Sequence, residues 1–182
     1  MALRVRKKSG IIIEYDGERV IFDPTSNNHD HPVFVTHAHS DHAAAFKHPD
    51  RPKYATRETA QLLRAMGWKK VDNLQEIQVG DKVQVGDLEI IARNAGHILG
   101  SVMYEVQTPE GCILYTGDIC LEDTFTMDPA EVVDCDLLVI ETTFGSPMFN
   151  FPKRKDVGLE MVRWALMDTI PQGKIPTFKT DS

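Results

Sequence analysis

The sequence predicts an α/β sandwich whose strands belong to more than one sheet. Three observations carry this expectation. Short apolar, β-branched runs separated by turn residues dominate most of the chain. Two stretches, one early and one late, carry helical signals instead. No internal repeat or low-complexity segment points elsewhere.

Taken in order, Ile11–Tyr15 and Glu18–Phe22 read as strands joined at Asp16-Gly17, a pair suited to a tight hairpin turn. Asp23-Pro24 ends the hairpin. The run Val33-Phe34-Val35-Thr36 reads as a short buried strand, and Lys53-Tyr54-Ala55-Thr56 as another. From Thr56 the sequence TRETAQLLRAMG predicts a helix with Thr56 as its N-cap and Gly67 as its stop. VQVGDLEIIAR predicts two strands around Gly86-Asp87. SVMYEVQT and CILYTGDI predict two more around Pro109-Glu110-Gly111, and DLLVIET a buried strand. Residues from about Lys153 to Thr169 are expected to be helical, with Leu159, Val162, Trp164, Leu166 and Met167 as apolar positions. Pro171-Gln172-Gly173 stops that helix, and KIPTF is expected to begin another strand.

The chain has 182 residues, 42% of them hydrophobic, enough for an ordinary core. It contains no apolar run long enough to span a membrane. The apolar stretch behind the basic start, Ile11–Ile13, is too short for a secretion signal, so a cytoplasmic location is expected. Cys112, Cys120 and Cys135 form no CxxC pair and read as free thiols. A net charge of −7 argues against a broadly basic nucleic-acid surface. The local clusters Arg4, Arg6, Lys7, Lys8 and Lys153–Lys155 read as solvated faces.

One stretch does not fit a purely structural role. VFVTHAHSDH places His37, His39, Asp41 and His42 within six residues directly after an apolar strand. On extended backbone, positions two apart project to the same side, so His37 and His39 can share one metal ion. Asp41 and His42 follow where the chain turns towards a helix and can face a neighbouring position. The same design, an apolar strand ending in a ligand-type residue, recurs at His97, Asp118 and Glu141. Imidazole and carboxylate donors suit Zn2+, with Mn2+ or iron as alternatives. His29, His31 and His48 read as loop residues outside this set.

THAHSDH matches the HxHxDH signature of the metallo-β-lactamase superfamily, and AGHILGS and LYTGDI are similar to two further motifs of it. ETTFGSP resembles a segment of the β-CASP branch, whose members process nucleic acids. The resemblance implies an αββα sandwich, incomplete and N-terminal, over residues 1–150, followed by the beginning of a β-CASP insert over 151–182. It implies two metal sites: His37, His39 and His97 at one, Asp41 and His42 at the other, with Asp118 bridging. A hydroxide held between two zinc ions would attack phosphorus. Asp41 would orient it, and Glu141 would pair with a downstream histidine that protonates the leaving oxygen.

The pattern breaks after His97, because no further histidine follows. The second site is then one ligand short and the proton donor is absent. A longer chain, a complementing chain or a homodimer is expected to supply them. The leading expectation is a nuclease acting on RNA or single-stranded DNA. The rivals are a non-catalytic subunit that keeps the fold, a tRNA 3′-processing enzyme, and a small-molecule hydrolase of the same superfamily.

Overall fold

The computed structural model describes residues 2–26, 30–48, 52–124 and 126–179. The chain divides into two compact units, Met1–Glu141 and Thr142–Ser182.

The first unit holds two sheets. Strands β1 (Arg4–Lys7), β2 (Ile11–Tyr15), β3 (Glu18–Phe22), β4 (Val33–Phe34), β5 (Lys53–Thr56) and β6 (Leu74–Ile77) lie side by side in chain order. Strands β7 (Lys82–Val85), β8 (Leu88–Asn94), β9 (Val102–Thr108), β10 (Gly111–Tyr115) and β11 (Leu137–Val139) form the second sheet in the order β11-β10-β9-β8-β7. The first sheet turns from antiparallel, β1 to β3, to parallel, β3 to β6. The β2–β3 hairpin closes at Asp16 and Gly17, both with positive φ, as a primed turn demands.

Alternation decides which side chains fill the space between the sheets. Ile13, Val20, Phe22 and Phe34 from the first sheet meet Leu88, Ile90, Tyr104 and Val106 from the second, all buried. Phe22 packs 5.4 Å from Phe34 and 5.3 Å from Tyr104, ring centre to centre. On the outer side of the first sheet, a 3-10 turn (Ala43–Lys47) and helix α1 (Arg57–Ala65) cover Ile21, Val33 and Ala55. On the outer side of the second sheet, irregular chain containing Ile119, Val133 and Cys135 packs on Met103 and Leu114. The α, β and β layers of the expected sandwich are therefore present.

Thr56 caps α1 as expected, accepting from the Thr59 N–H at 3.2 Å. Its hydroxyl also donates to the Gly100 carbonyl at 2.7 Å, tying the helix start to the loop that carries His97. Thr56→Ala is expected to cost about 1 to 2 kcal/mol. That corresponds to roughly 2–8 °C in Tm for a chain of this size, read by calorimetry.

Several expectations are corrected. The ladder at VFVT is only two residues long. Thr36 leaves it because its N–H donates to the Asp23 side chain and its carbonyl accepts from Val102 N of the opposite sheet. DLLVIET is not buried: Leu137 and Leu138 are 44% and 48% exposed. Among the described residues, β11 is a sheet edge with β10 as its only sheet neighbour. KIPTF forms no strand among the described residues, where no strand of its own unit is available to pair with it. Strands β1 and β6 were not anticipated, because RVRK and LQEI are polar edge sequences without a clean apolar alternation.

In the second unit, α2 (Arg154–Arg163) continues as a π-helical turn (Trp164–Thr169) and a 3-10 turn (Ile170–Gln172). This follows the expected helix and its Pro171–Gly173 stop. Its apolar side chains Leu159, Val162 and Leu166 are exposed. Phe144, Phe149 and Phe151 form an aromatic cluster nearby in sequence. Among the described residues, no helix is long and apolar enough to cross a membrane.

Candidate metal centre

Four ligand atoms, one each from His37, His39, His97 and Asp118, lie within 4.8 Å of one another. The sheet order explains their convergence. His37 and His39 follow β4 of the first sheet, His97 follows β8, and Asp118 follows β10 of the second. His37 Nε2 is 2.9 Å from His39 Nδ1, which is 3.2 Å from His97 Nε2. An Asp118 oxygen stands 3.7 Å from His37 Nε2 and 3.5 Å from His97 Nε2.

These separations suit a shared ion. Tetrahedral zinc with bonds of about 2.0–2.1 Å places neighbouring donor atoms about 3.3 Å apart. Three imidazole nitrogens and one carboxylate oxygen are also a donor set that zinc accepts, and manganese or iron can use it too.

A second group adjoins the first. His42 Nε2 lies 3.3 Å from the other Asp118 oxygen and 3.7 Å from Asp41. Asp41 is mostly exposed, whereas His42 is largely enclosed. Asp118 therefore faces both groups. Glu141 stands apart from them, its Oε1 accepting the Ile119 N–H at 3.0 Å. A cleft of about 370 Å³ is lined by Asp41, His42, Asp118 and Glu141, with Lys7 and Lys8 on its wall. Asn27–His29 lie outside the described residues, and His31 lines a different groove. His48 follows the 3-10 turn and enters neither group.

The residue that sequence reasoning missed is Asp23. It is almost fully buried, with φ of +46° at the end of β3. Its Oδ1 accepts the Thr36 N–H at 2.8 Å. Its Oδ2 accepts from the Thr36 hydroxyl at 2.7 Å, from Tyr115 at 2.9 Å and from His42 Nδ1 at 2.8 Å. Because Thr36 donates its proton to Asp23, the same hydroxyl oxygen is left to accept from His37 Nδ1 at 3.0 Å. Both His37 and His42 are thereby protonated on Nδ1, and both turn Nε2 towards the ligand groups. The sequence did hold a signal: a lone acidic residue directly after an apolar strand, here read only as a turn.

Electrostatics follow this wiring. Burial, reinforced by the neighbouring His42, pushes His37 down to about 2, so it stays a neutral donor. Burial also lowers His97. Burial opposes charge on His42 too, but the hydrogen-bonded Asp118 and Asp23 outweigh it and raise His42 to about 10. The His42 hydrogen bond in turn holds Asp118 down to about 2.

Glycine makes two of the close approaches possible. Gly117 has φ of +53°, and a Cβ there would lie 2.7 Å from Thr36 Oγ1. Gly96 has φ of +66°, and a Cβ there would lie 2.6 Å from the Ala130 nitrogen. Neither position accommodates a side chain.

Comparison with known proteins is in keeping with this geometry. The family model described as the beta-lactamase superfamily domain matches residues 18–169. The chain belongs to the metallo-β-lactamase superfamily. Over 92 residues it is 44% identical to a protein of Saccharolobus solfataricus named RNase aCSPSF2, covering 49% of this chain and 18% of that one. Over 169 residues it is 31% identical to an RNase J-like protein of Methanocaldococcus jannaschii, covering 80% of this chain and 40% of that one. The chain thus spans less than half the length of these curated relatives. A crystal structure of a protein of unknown function from Enterococcus faecalis V583 shares the fold, with a TM-score of 0.52 and 19% identity over 62% of this chain and 41% of that one.

Proposed function

We propose that this metallo-β-lactamase domain is the metal-binding part of a β-CASP-type nuclease that hydrolyses phosphodiester bonds in RNA or single-stranded DNA. The observation that carries the reading is the convergence of His37, His39, His97 and Asp118. The ribonuclease names of two relatives support the substrate class. Residues 1–150 are proposed as the catalytic domain's N-terminal part, and 151–182 as the start of the β-CASP insert.

His37, His39 and His97 would hold one ion, Asp41 and His42 a second, and Asp118 would bridge them. Zinc is the ion the donor set favours. When bound, such ions polarise a phosphoryl oxygen and lower the pKa of a water they hold. The protein's own residues do the rest. Burial keeps His37 neutral, with its lone pair facing the site. Asp118 stays ionised against His42. Asp41, open to solvent beside His42, orients the attacking water and accepts its proton. Glu141, steadied by the Ile119 N–H, is set to orient a proton donor for the leaving oxygen. No histidine follows His97, so that donor and the remaining ligand come from outside these residues, in a longer chain or a partner.

The test is elemental analysis after zinc loading, alongside cleavage of 5′-labelled RNA and single-stranded DNA. About two ions per chain with strand cleavage is the result expected when the missing ligand is supplied. About one ion without cleavage is expected of the isolated residues. Hydrolysis of a thioester or lactam with no cleavage of any phosphodiester would overturn the nuclease reading.

A further inference from the structure

The basic residues at the start of the chain, Arg4, Arg6, Lys7 and Lys8, are all exposed, on β1 and directly after it. Helix α1 packs on β5 and β6, and the apolar cluster beneath it and the 3-10 turn runs over Ile21 of β3 and over β4 and β5. Among the described residues, that cluster takes nothing from β1 and only the partly buried Ile12 from β2. The register sets Arg4 opposite Glu14, and Glu14 opposite Arg19. Arg6, two positions along from Arg4, points to the same side, about 7 Å further along the strand. A groove of about 330 Å³ there is lined by Arg6, Lys8, Ile12, Glu14, Arg19 and His31.

Charge on this side is one-signed after pairing. Glu14 is held by Arg19 at 3.1 Å, so those two cancel. Arg4, Arg6 and Lys8 remain, on a chain whose net charge is −7. An edge strand needs charge to resist pairing with other sheets, but either sign serves that purpose. Here all four charges between Arg4 and Lys8 are positive. Lys8 also lines the cleft of the metal centre, so the groove and the cleft share a wall residue.

We propose that the outer side of β1 and β2 is a binding track for the phosphate backbone of a single polynucleotide strand, leading through Lys8 to the cleft where the scissile phosphodiester sits. The inference rests on the nuclease reading above and adds the path of the substrate. Backbone phosphates are the ligand that the spacing and the sign of Arg4, Arg6 and Lys8 select, and such contacts fix register without reading sequence.

The test is fluorescence anisotropy with labelled RNA and single-stranded DNA oligonucleotides across a salt series, on the full chain in EDTA. Binding is then read apart from cleavage. The exposed pair Arg4 and Arg6 is changed to Arg4→Glu/Arg6→Glu, with Arg4→Gln/Arg6→Gln as the milder variant. The Glu variant is expected to bind at least tenfold more weakly at low salt. Each lost phosphate contact should also remove about 0.7 from the slope of log affinity against log salt, so about 1.4 for the pair. An unchanged Tm confirms that both variants fold. Equal affinity and slope for wild type and both variants would overturn the track. Equal binding of poly-glutamate and oligonucleotide would also overturn it, in favour of an acidic protein partner. A zinc-loaded chain that cleaves a chromogenic phosphodiester but gives that negative result loses the track and keeps its proposed function. Track-dependent binding by a chain that takes up no metal overturns the nuclease reading alone.

Discussion

His39→Ala should abolish the gain in thermal stability that zinc gives the wild-type chain, while leaving the metal-free protein as stable as before or more so. His39 Nδ1 sits between His37 Nε2 and His97 Nε2, the central member of the three imidazoles. Its removal takes away a donor and loosens a crowded polar cluster. The side chain is only half-buried, so no large cavity is left. An ion at 1,000 times its dissociation constant stabilises by about 4.1 kcal/mol. For a chain of this size that is roughly 8–16 °C in Tm. Paired melts in EDTA and in excess zinc read both halves of the expectation. A variant that keeps the zinc-induced shift would show that His39 is not a ligand. Where the missing ligand is supplied, cleavage activity should fall by more than the 10–100-fold typical of replacing a group behind the ligands.

Asp23→Asn is the second large effect. The substitution keeps the shape but replaces an acceptor-only carboxylate with a group that must also donate. Oδ2 now receives three donors, from Thr36, Tyr115 and His42. An amide nitrogen placed there would face donors, and an amide turned the other way would face the Thr36 N–H. The expected loss is about 1–3 kcal/mol of stability, with a 10–100-fold loss of zinc affinity. It should also change the pH profile of the metal-free protein. His42 is raised in the fold to about 10, so the stability it contributes is fully present below its unfolded value. That value is about 6.5, and the contribution is lost as pH rises through the folded one. His37 and His97 are lowered, so their burial costs stability as pH falls below the same value. Wild-type Tm in EDTA should therefore decline on the alkaline side through His42, and Asp23→Asn should flatten that limb. A variant with an unaltered alkaline limb would show that Asp23 does not govern His42.

How much of this was legible beforehand depends on where each signal lies. His37, His39, His97 and Asp118 were readable because ligand-type residues after apolar strands are costly unless they are used, and four such strand ends repeat the pattern. The β2–β3 hairpin and α1 were readable because Asp16-Gly17 and Thr56 carry local chemistry that fixes backbone geometry. Asp23 was not, since its importance lies in partners 13, 19 and 92 positions away. No local pattern announces those contacts. Burial of DLLVIET was overestimated for the same reason: apolar content says a strand is able to be covered, not that a neighbour covers it.

The keying of the two sheets at Thr36 has one more consequence. Its N–H is anchored by Asp23, its carbonyl by Val102 of the facing sheet, and its side chain is met by Gly117. The lock sits directly behind the donors and is made wholly of protein atoms. Folding can therefore finish before any ion arrives, in contrast to small domains that collapse only around their metal. An ion bound by the proposed ligands would then meet donors already held in place by these contacts.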